Sequence, residues 1–162
     1  MEYGISSTVS SDLPRIRELN EMALPAVNSI PIEEFNHFLD VADYFKSIFI
    51  ADKLVGYLIA LQPKRDYDSV NYKYFEANYD SFMYVDRIVI DSNYRGMGLG
   101  KLFYDDLSQF TRGRAPIITC EVNIHPPNQK SMAFHKHYGF NQVDTQLSEG
   151  GSKEVSLMVL EL

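Results

Sequence analysis

A glycine-rich turn between a strand-like segment and an amphipathic helix most constrains how this chain can fold. Aromatic and β-branched residues predict a strand over Phe82–Ile90, and a helical stripe of leucine and phenylalanine predicts a helix over Gly98–Arg112. The glycines between them let the backbone bend tightly and let an anion approach the main chain. The unpaired N–H groups and positive dipole end of the following helix favour an anion there. Together these features predict a phosphate-binding turn.

The spacing of the glycines narrows the choice of phosphate ligand. A Walker loop needs serine or threonine after its glycine and lysine, but Gly100-Lys101 is followed by Leu102. A Rossmann fingerprint starting at Gly96 and Gly98 would need its third glycine where Lys101 stands. Both common nucleotide motifs are therefore excluded.

The pattern that fits is [Q/R]-x-x-G-x-[G/A], with Arg95, Gly98 and Gly100 in its fixed places. This segment resembles the pyrophosphate-binding motif of the GNAT N-acetyltransferase superfamily, although Ser92 stands where proline is common in that family. The resemblance implies acetyl-CoA as co-substrate, with no metal. It also implies that the pyrophosphate is bound by the turn formed by Arg95, Gly96, Met97, Gly98, Leu99, Gly100 and Lys101.

A second segment, Asn128-x-x-Ser131-x-x-Phe134 followed by Gly139-Phe140, resembles the second motif of the same family. The resemblance implies that Asn128 and Ser131 lie beside the pantetheine arm of CoA. His135 stands where relatives carry the tyrosine that protonates the departing thiolate. Histidine can also donate a proton, so His135 is a candidate acid; Tyr138 is a rival, and a surface histidine without a role is the alternative.

The reaction that the resemblance implies is direct attack of a primary amine on the acetyl thioester. Main chain at Ile88, Val89 and Ile90 would pair with pantetheine and stabilise the carbonyl oxygen. Glu121 and Asp86 are candidate bases, or together a site for an ammonium group, although either is also compatible with a purely structural acid. Weaker candidates for lining the acceptor site are Tyr74, Tyr84 and Asn123.

Composition limits the cellular setting and the partners. The 162 residues predict a single domain over 1–162, and a net charge of -7 argues against nucleic acid and anionic membrane as partners. We expect a small-molecule or peptide amine as acceptor and allow for a homodimer. The absence of a secretory or membrane-spanning segment favours a cytoplasmic protein. The single Cys120 predicts neither a disulfide nor a nucleophile, and the histidine spacing predicts no zinc site.

The order of elements predicts an α/β fold of the α+β kind. We expect a strand, two helices, three strands, a helix, a strand, a helix and two strands. Their predicted bounds include a first strand at Tyr3–Val9, a second helix at Ile32–Tyr44 and a long tyrosine-rich loop at Pro63–Asp80. The resemblance adds a mixed, largely antiparallel sheet with helices on both faces, and acyl-CoA at a splay between the fourth and fifth strands.

Two other functions compete with this interpretation. Replacement of the family's tyrosine by His135 is compatible with a non-catalytic acyl-CoA sensor of the same fold. A module that binds a different nucleotide would also use a glycine-rich turn. The sequence does not identify the amine acceptor.

Overall fold

The computed structural model describes residues 2–162. The strands are β1 Tyr3–Ser7, β2 Tyr44–Ile50, β3 Lys53–Leu61, β4 Met83–Ile90, β5 Ile117–His125, β6 Asn141–Ser148 and β7 Lys153–Glu161. The helices are α1 Leu13–Met22, α2 Ile32–Val41, α3 Val70–Asn78, α4 Leu99–Thr111 and α5 Gln129–Tyr138. Hydrogen bonds order the strands β1-β2-β3-β4-β5-β7-β6, with β4 and β5 parallel. The predicted mixed, largely antiparallel sheet is confirmed.

The chain divides into two compact units. One contains the described residues up to Leu61 together with Arg87–Leu107, and the other contains Gln62–Asp86 and Ser108–Leu162. The divisions fall inside β4, between Asp86 and Arg87, and inside α4, between Leu107 and Ser108. The expectation of one domain stays a prediction.

The first unit is built on antiparallel β1, β2 and β3. Ala51 and Asp52, with φ of 47° and 65°, make the tight turn of the β2–β3 hairpin. Leu13, Ile16 and Leu19 recur at helical spacing on α1 and are buried. Burial of this stripe, rather than helix propensity alone, stabilises α1.

The second unit contains antiparallel β5, β7 and β6 and the beginning of β4. The β4–β5 register pairs Met83 with Ile118 and Tyr84 with Thr119. Because strand side chains alternate between faces, Glu121 lies on the same face of β5 as Thr119, two residues past the Tyr84 pair. This register determines which side chains of β4 and β5 can meet.

The expectation of a long loop over Pro63–Asp80 is wrong for its second half, because the segment contains α3. The Ser69 side chain caps α3 by accepting a hydrogen bond from the Tyr72 amide at 3.4 Å. Tyr72 and Phe75 are completely buried, and their rings pack against Phe82 at 5.9 and 6.1 Å. Long-range aromatic packing thus orders a segment that has little apolar periodicity of its own.

The predicted second helix also runs too far. It ends at Val41, because Ala42 is extended and the Asp43 amide bonds to the Ala60 carbonyl at 3.1 Å. Tyr44 therefore begins β2, and its hydroxyl donates to Asp106 on α4 at 2.7 Å. Pairing with β3 determines where the helix stops.

Gly56 on β3 lies where a side chain would collide with β4. A Cβ there would lie 2.7 Å from Ile90 Cδ1 and 2.8 Å from the Val89 carbonyl oxygen. Because one of these contacts is backbone, we expect Gly56→Ala to lower the free energy of unfolding by about 1–3 kcal/mol in urea titrations. Gly4→Ala on β1 is the matched control, since nothing lies within 4 Å of its Cβ. Equal stability of the two variants would contradict this close approach.

Candidate active site

The glycine-rich turn has the backbone that the motif predicts. Gly96 and Gly98 both have φ of +78°, a conformation that L side chains rarely adopt. Neither Cβ position has any heavy atom within 4 Å, so the main chain is open to a ligand. Arg95 and Met97 are also exposed. The turn therefore exposes its glycine backbone together with the residues Arg95 and Met97.

Helix α4 begins at this turn and is anchored by its apolar face. Its first bond runs from the Leu102 amide to the Gly98 carbonyl at 3.1 Å, so the preceding N–H groups lie beyond the intrahelical ladder. Leu99 is buried, whereas Lys101 is exposed and pairs with Asp105 at 2.8 Å. Open glycine backbone and outward N–H groups fit an anionic phosphate. Because its side chain is buried, Leu99 could contact the phosphate only through its main chain.

The last residues of β4 alternate in exposure. Val89 is buried, while Ile88 and Ile90 are half-buried on the opposite face. Asp86, the last β4 residue of the other unit, is also half-buried. It stands an even number of residues before Ile88 and Ile90, as expected for side chains on the same side of a strand. Ile88 and Ile90 therefore lie on the more open face of this part of the strand.

Glu121, one candidate base, is held by a buried tyrosine. The Tyr84 hydroxyl donates to Glu121 Oε1 and lies 3.1 Å from Oε2. Tyr84 is completely buried, and this burial, followed by the charges of Glu121 and Asp86, raises the pKa of its phenol well above the usual 10. Tyr84 therefore stays protonated and acts as a donor that orients the Glu121 carboxylate.

Asp86, the other candidate base, has an equivalent partner. The Tyr67 hydroxyl donates to Asp86 Oδ1. Tyr67 is carried by the segment before α3, and its ring packs against Tyr72 at 5.5 Å. Each candidate base therefore receives a phenolic hydrogen bond, from Tyr84 on β4 and from Tyr67 in the tyrosine-rich segment, which orders the carboxylates within the second unit.

The remaining tyrosines of this region have mainly packing roles. The rings of Tyr72 and Phe75 lie 5.5 and 5.9 Å from that of Tyr84. Tyr74 is half-buried and donates to Asp144 Oδ2 at 3.2 Å. These contacts pack the aromatic rings of the region together, while Tyr67 and Tyr84 bond to carboxylates.

The second motif forms the beginning of α5. The Asn128 side-chain oxygen caps the helix by accepting from the Ser131 amide at 3.3 Å. His135 is buried, and its Nδ1 lies 2.7 Å from the Ser131 carbonyl oxygen. A carbonyl can only accept, so Nδ1 carries the proton and the neutral ring has none on Nε2. Burial lowers the pKa of His135, which disfavours the imidazolium form.

Tyr138 and Asn123 are the other candidates in this unit. Tyr138 is half-buried, and its hydroxyl lies 3.5 Å from Ser108 Oγ, the outer limit of a hydrogen bond. Asn123 is buried, and its carbonyl accepts from the Asn128 amide at 3.2 Å, which links β5 to the start of α5. Of the two candidate acids, His135 and Tyr138, Tyr138 is the less buried.

Two sets of contacts have no signal in the sequence that identifies both partners. The bond between Tyr67 and Asp86 depends on the path of the segment before α3. Asp91 is buried directly after β4 and pairs with Arg15 of α1 at 2.9 Å. An aspartate ending a strand before a turn is a local signal for capping, but nothing in the sequence points to Arg15.

Within residues 2–162, no group of three or more histidine, cysteine, aspartate or glutamate side chains is arranged to hold a metal ion. Over the same residues, no helix has both the length and the apolar character needed to cross a membrane.

Comparison with known protein families identifies the class. The model of the acetyltransferase (GNAT) family matches residues 13–140. This match covers most of the chain, and the protein therefore belongs to the GNAT acetyltransferase family, a family of acyltransferase enzymes. The family expected from the two motifs is confirmed.

Individual relatives are more distant. Glucosamine 6-phosphate N-acetyltransferase of Trypanosoma brucei brucei is 31% identical over 64 residues, which are 40% of this chain and 41% of that protein. Ard1 from Thermoplasma volcanium matches with a TM-score of 0.81 and 14% identity over 100% of this chain and 99% of that one. Arabidopsis thaliana Naa50, in complex with the bisubstrate analogue CoA-Ac-MVNAL, matches with a TM-score of 0.76 and 14% identity over 100% of both chains. The structural matches confirm the fold.

Proposed function

We propose that this protein transfers the acetyl group of acetyl-CoA to a primary amine by direct attack in a ternary complex. Beyond family membership, one observation carries the proposal: the buried Tyr84 hydroxyl bonds to Glu121, as an oriented base requires. A sensor that only binds acyl-CoA has no need of an oriented base. The acceptor is a small amine, an amino acid or a peptide. The relatives include both a glucosamine 6-phosphate N-acetyltransferase and a protein bound to the bisubstrate analogue CoA-Ac-MVNAL.

In the proposed reaction the amine arrives as an ammonium ion and must lose a proton before it attacks. Glu121 takes this proton, while Tyr84 stays protonated and holds the carboxylate in place. Asp86 adds a second negative charge that attracts the ammonium form. The amine nitrogen then forms a bond to the acetyl carbon, and the carbon–sulfur bond breaks. The second proton of the nitrogen passes to solvent, and solvent returns a proton to the acid that protonates the thiolate.

The donor side uses main chain. The pyrophosphate of acetyl-CoA binds to the backbone of the Arg95–Lys101 turn, whose open glycines support this assignment. Main-chain N–H near Val89 or Ile90 stabilises the charge that develops on the acetyl oxygen. Asn128 and Ser131 lie beside pantetheine, although the Asn128 oxygen is already engaged in the helix cap.

The leaving thiolate needs a proton, and Tyr138 supplies it in this mechanism. Nδ1 of His135 donates to a carbonyl, and its buried ring is neutral, so His135 has no proton to offer on Nε2. We expect Tyr138→Phe to lower kcat by about tenfold to a hundredfold with little change in the KM for acetyl-CoA. Tyr79→Phe, in the Gln62–Asp86 segment of the same unit, is the control and should turn over like the wild type. Full activity of Tyr138→Phe would remove Tyr138 from the mechanism.

The direct test is incubation with acetyl-CoA and a panel of primary amines while free thiol is monitored. The proposal predicts thiol release that requires an amine and matches the acetylated amine formed. Tight CoA binding without thiol release across the panel would favour the sensor. A thermal-shift comparison tests the other rival: we expect stabilisation by CoA, and a larger shift with ATP or NAD would contradict the donor assignment.

A further inference from the structure

Asp91 directly follows β4 and precedes the glycine-rich turn, and hydrogen bonds hold it in place. It is 3% exposed, and each of its polar groups has a partner. Its amide donates to the Val55 carbonyl at 2.8 Å, and its carbonyl accepts from the Tyr94 amide at 2.9 Å. Its two carboxylate oxygens accept from the Asn93 amide and from Arg15 Nη2, both at 2.9 Å. The path of the chain into the turn is therefore set at Asp91.

Arg15 connects this point to two other elements of the same unit. Its Nε donates to the Leu54 carbonyl on β3 at 3.0 Å while Nη2 bonds to Asp91. Its Nη1 also pairs with Glu18, whose side chain is exposed to solvent. A planar guanidinium can hold both acceptors at once, whereas a lysine ammonium concentrates its donors on a single atom. Arg15 therefore ties α1 and β3 to the residue that precedes the turn.

The pair also has an electrostatic consequence. Asp91 places a buried negative charge four positions before Arg95, in the segment that would bind a pyrophosphate. Charges in a partly buried setting interact much more strongly than in water. Without Arg15, the Asp91 carboxylate would repel the anionic ligand; with Arg15, its charge is offset.

We propose that Arg15 and Asp91 are positioning residues for the donor: their ion pair fixes the turn and offsets the charge of Asp91, so that an α1 side chain 76 positions upstream sets part of the affinity for CoA. This inference rests on the proposed function, because it takes the turn as the pyrophosphate site. Neither residue needs to touch the ligand.

The experiment compares CoA binding by calorimetry in the wild type, Arg15→Gln, Asp91→Asn and the double variant. Arg15→Gln is expected to raise the Kd for CoA roughly tenfold, because it leaves an uncompensated carboxylate beside the turn. The double variant is expected to recover most of this loss, since the two introduced carboxamides can bond to each other and neither repels phosphate. Arg17→Gln, exposed on the same helix, is the control and should bind like the wild type.

Asp91→Asn alone should also weaken binding. Its carboxamide has one acceptor oxygen and one donor nitrogen, so it can serve either the Asn93 amide or Arg15 but not both. A double variant no better than the product of the two single losses would contradict the charge-offset role. Such additivity would mean that the two side chains act independently.

A donor without a pyrophosphate separates positioning from general damage to the fold. With acetyl-pantetheine as the acetyl donor, Arg15→Gln is expected to keep the wild-type KM, and equal losses with both donors would overturn the inference. If Arg15→Gln does not fold, Arg15→Lys keeps the charge and is expected to lose CoA affinity but not acetyl-pantetheine affinity. Absence of CoA binding by the wild type would overturn the proposed function itself, whereas unchanged binding by Arg15→Gln overturns only the positioning role.

Discussion

Replacing Glu121 by glutamine is expected to reduce kcat by about 10²- to 10³-fold, the usual contribution of a general base. Glutamine keeps the shape of the side chain and can still accept a hydrogen bond from Tyr84. It cannot take a proton from the ammonium group. The loss should therefore appear in kcat, measured by thiol release at saturating acetyl-CoA, while CoA affinity stays within about twofold.

A matched control for this variant is Glu161→Gln, which changes an exposed carboxylate at the end of β7. This variant should turn over like the wild type. If Glu121→Gln kept full activity while Asp86→Asn lost it, the base would be Asp86, and the roles proposed for the two carboxylates would be exchanged.

Gly98→Ala is expected to weaken CoA binding by roughly tenfold to a hundredfold, the effect of losing one or two hydrogen bonds to a charged ligand. Alanine is strained at φ of +78°, so the turn must change shape or hold strain of about 1–2 kcal/mol. Its new methyl group would also stand on backbone that is open to the ligand. Calorimetric titration with CoA measures the effect.

Gly113→Ala provides an unusually close control for strain. Gly113 follows the end of α4, has φ of +85°, and has nothing within 4 Å of its Cβ position. We expect the two variants to lose similar stability in urea but only Gly98→Ala to lose CoA affinity. Equal CoA binding by both variants would show that the Gly98 backbone does not contact the donor.

The parts of the site that could be predicted from sequence are those formed by residues close together in the chain. The strand, glycine turn and helix between Phe82 and Arg112 depend on residue types close together in the chain, and the structure has them. The cap of α5 by Asn128 is likewise local, since it bonds to Ser131 three residues away. Motifs of this kind report short-range geometry, and short-range geometry is what a spacing can encode.

Contacts between residues far apart in the chain could not be predicted from such local motifs. The Tyr84–Glu121 bond joins residues 37 positions apart and follows from the parallel register of β4 and β5, which no local pattern fixes. Helix α3 was missed because its stability comes from the aromatic residues it packs against. The tautomer of His135 could not be predicted from sequence either, since it depends on the contact between Nδ1 and the Ser131 carbonyl oxygen. Candidate catalytic residues could be named from sequence, but their protonation states could not.

The proposed reaction transfers acetyl directly from acetyl-CoA to an amine while both substrates are bound. Initial rates measured over a grid of acetyl-CoA and amine concentrations test this order of events. We expect double-reciprocal lines that intersect, because the amine attacks the thioester in a ternary complex. Parallel lines, with release of CoA before the amine binds, would contradict it and would indicate an acetylated enzyme intermediate.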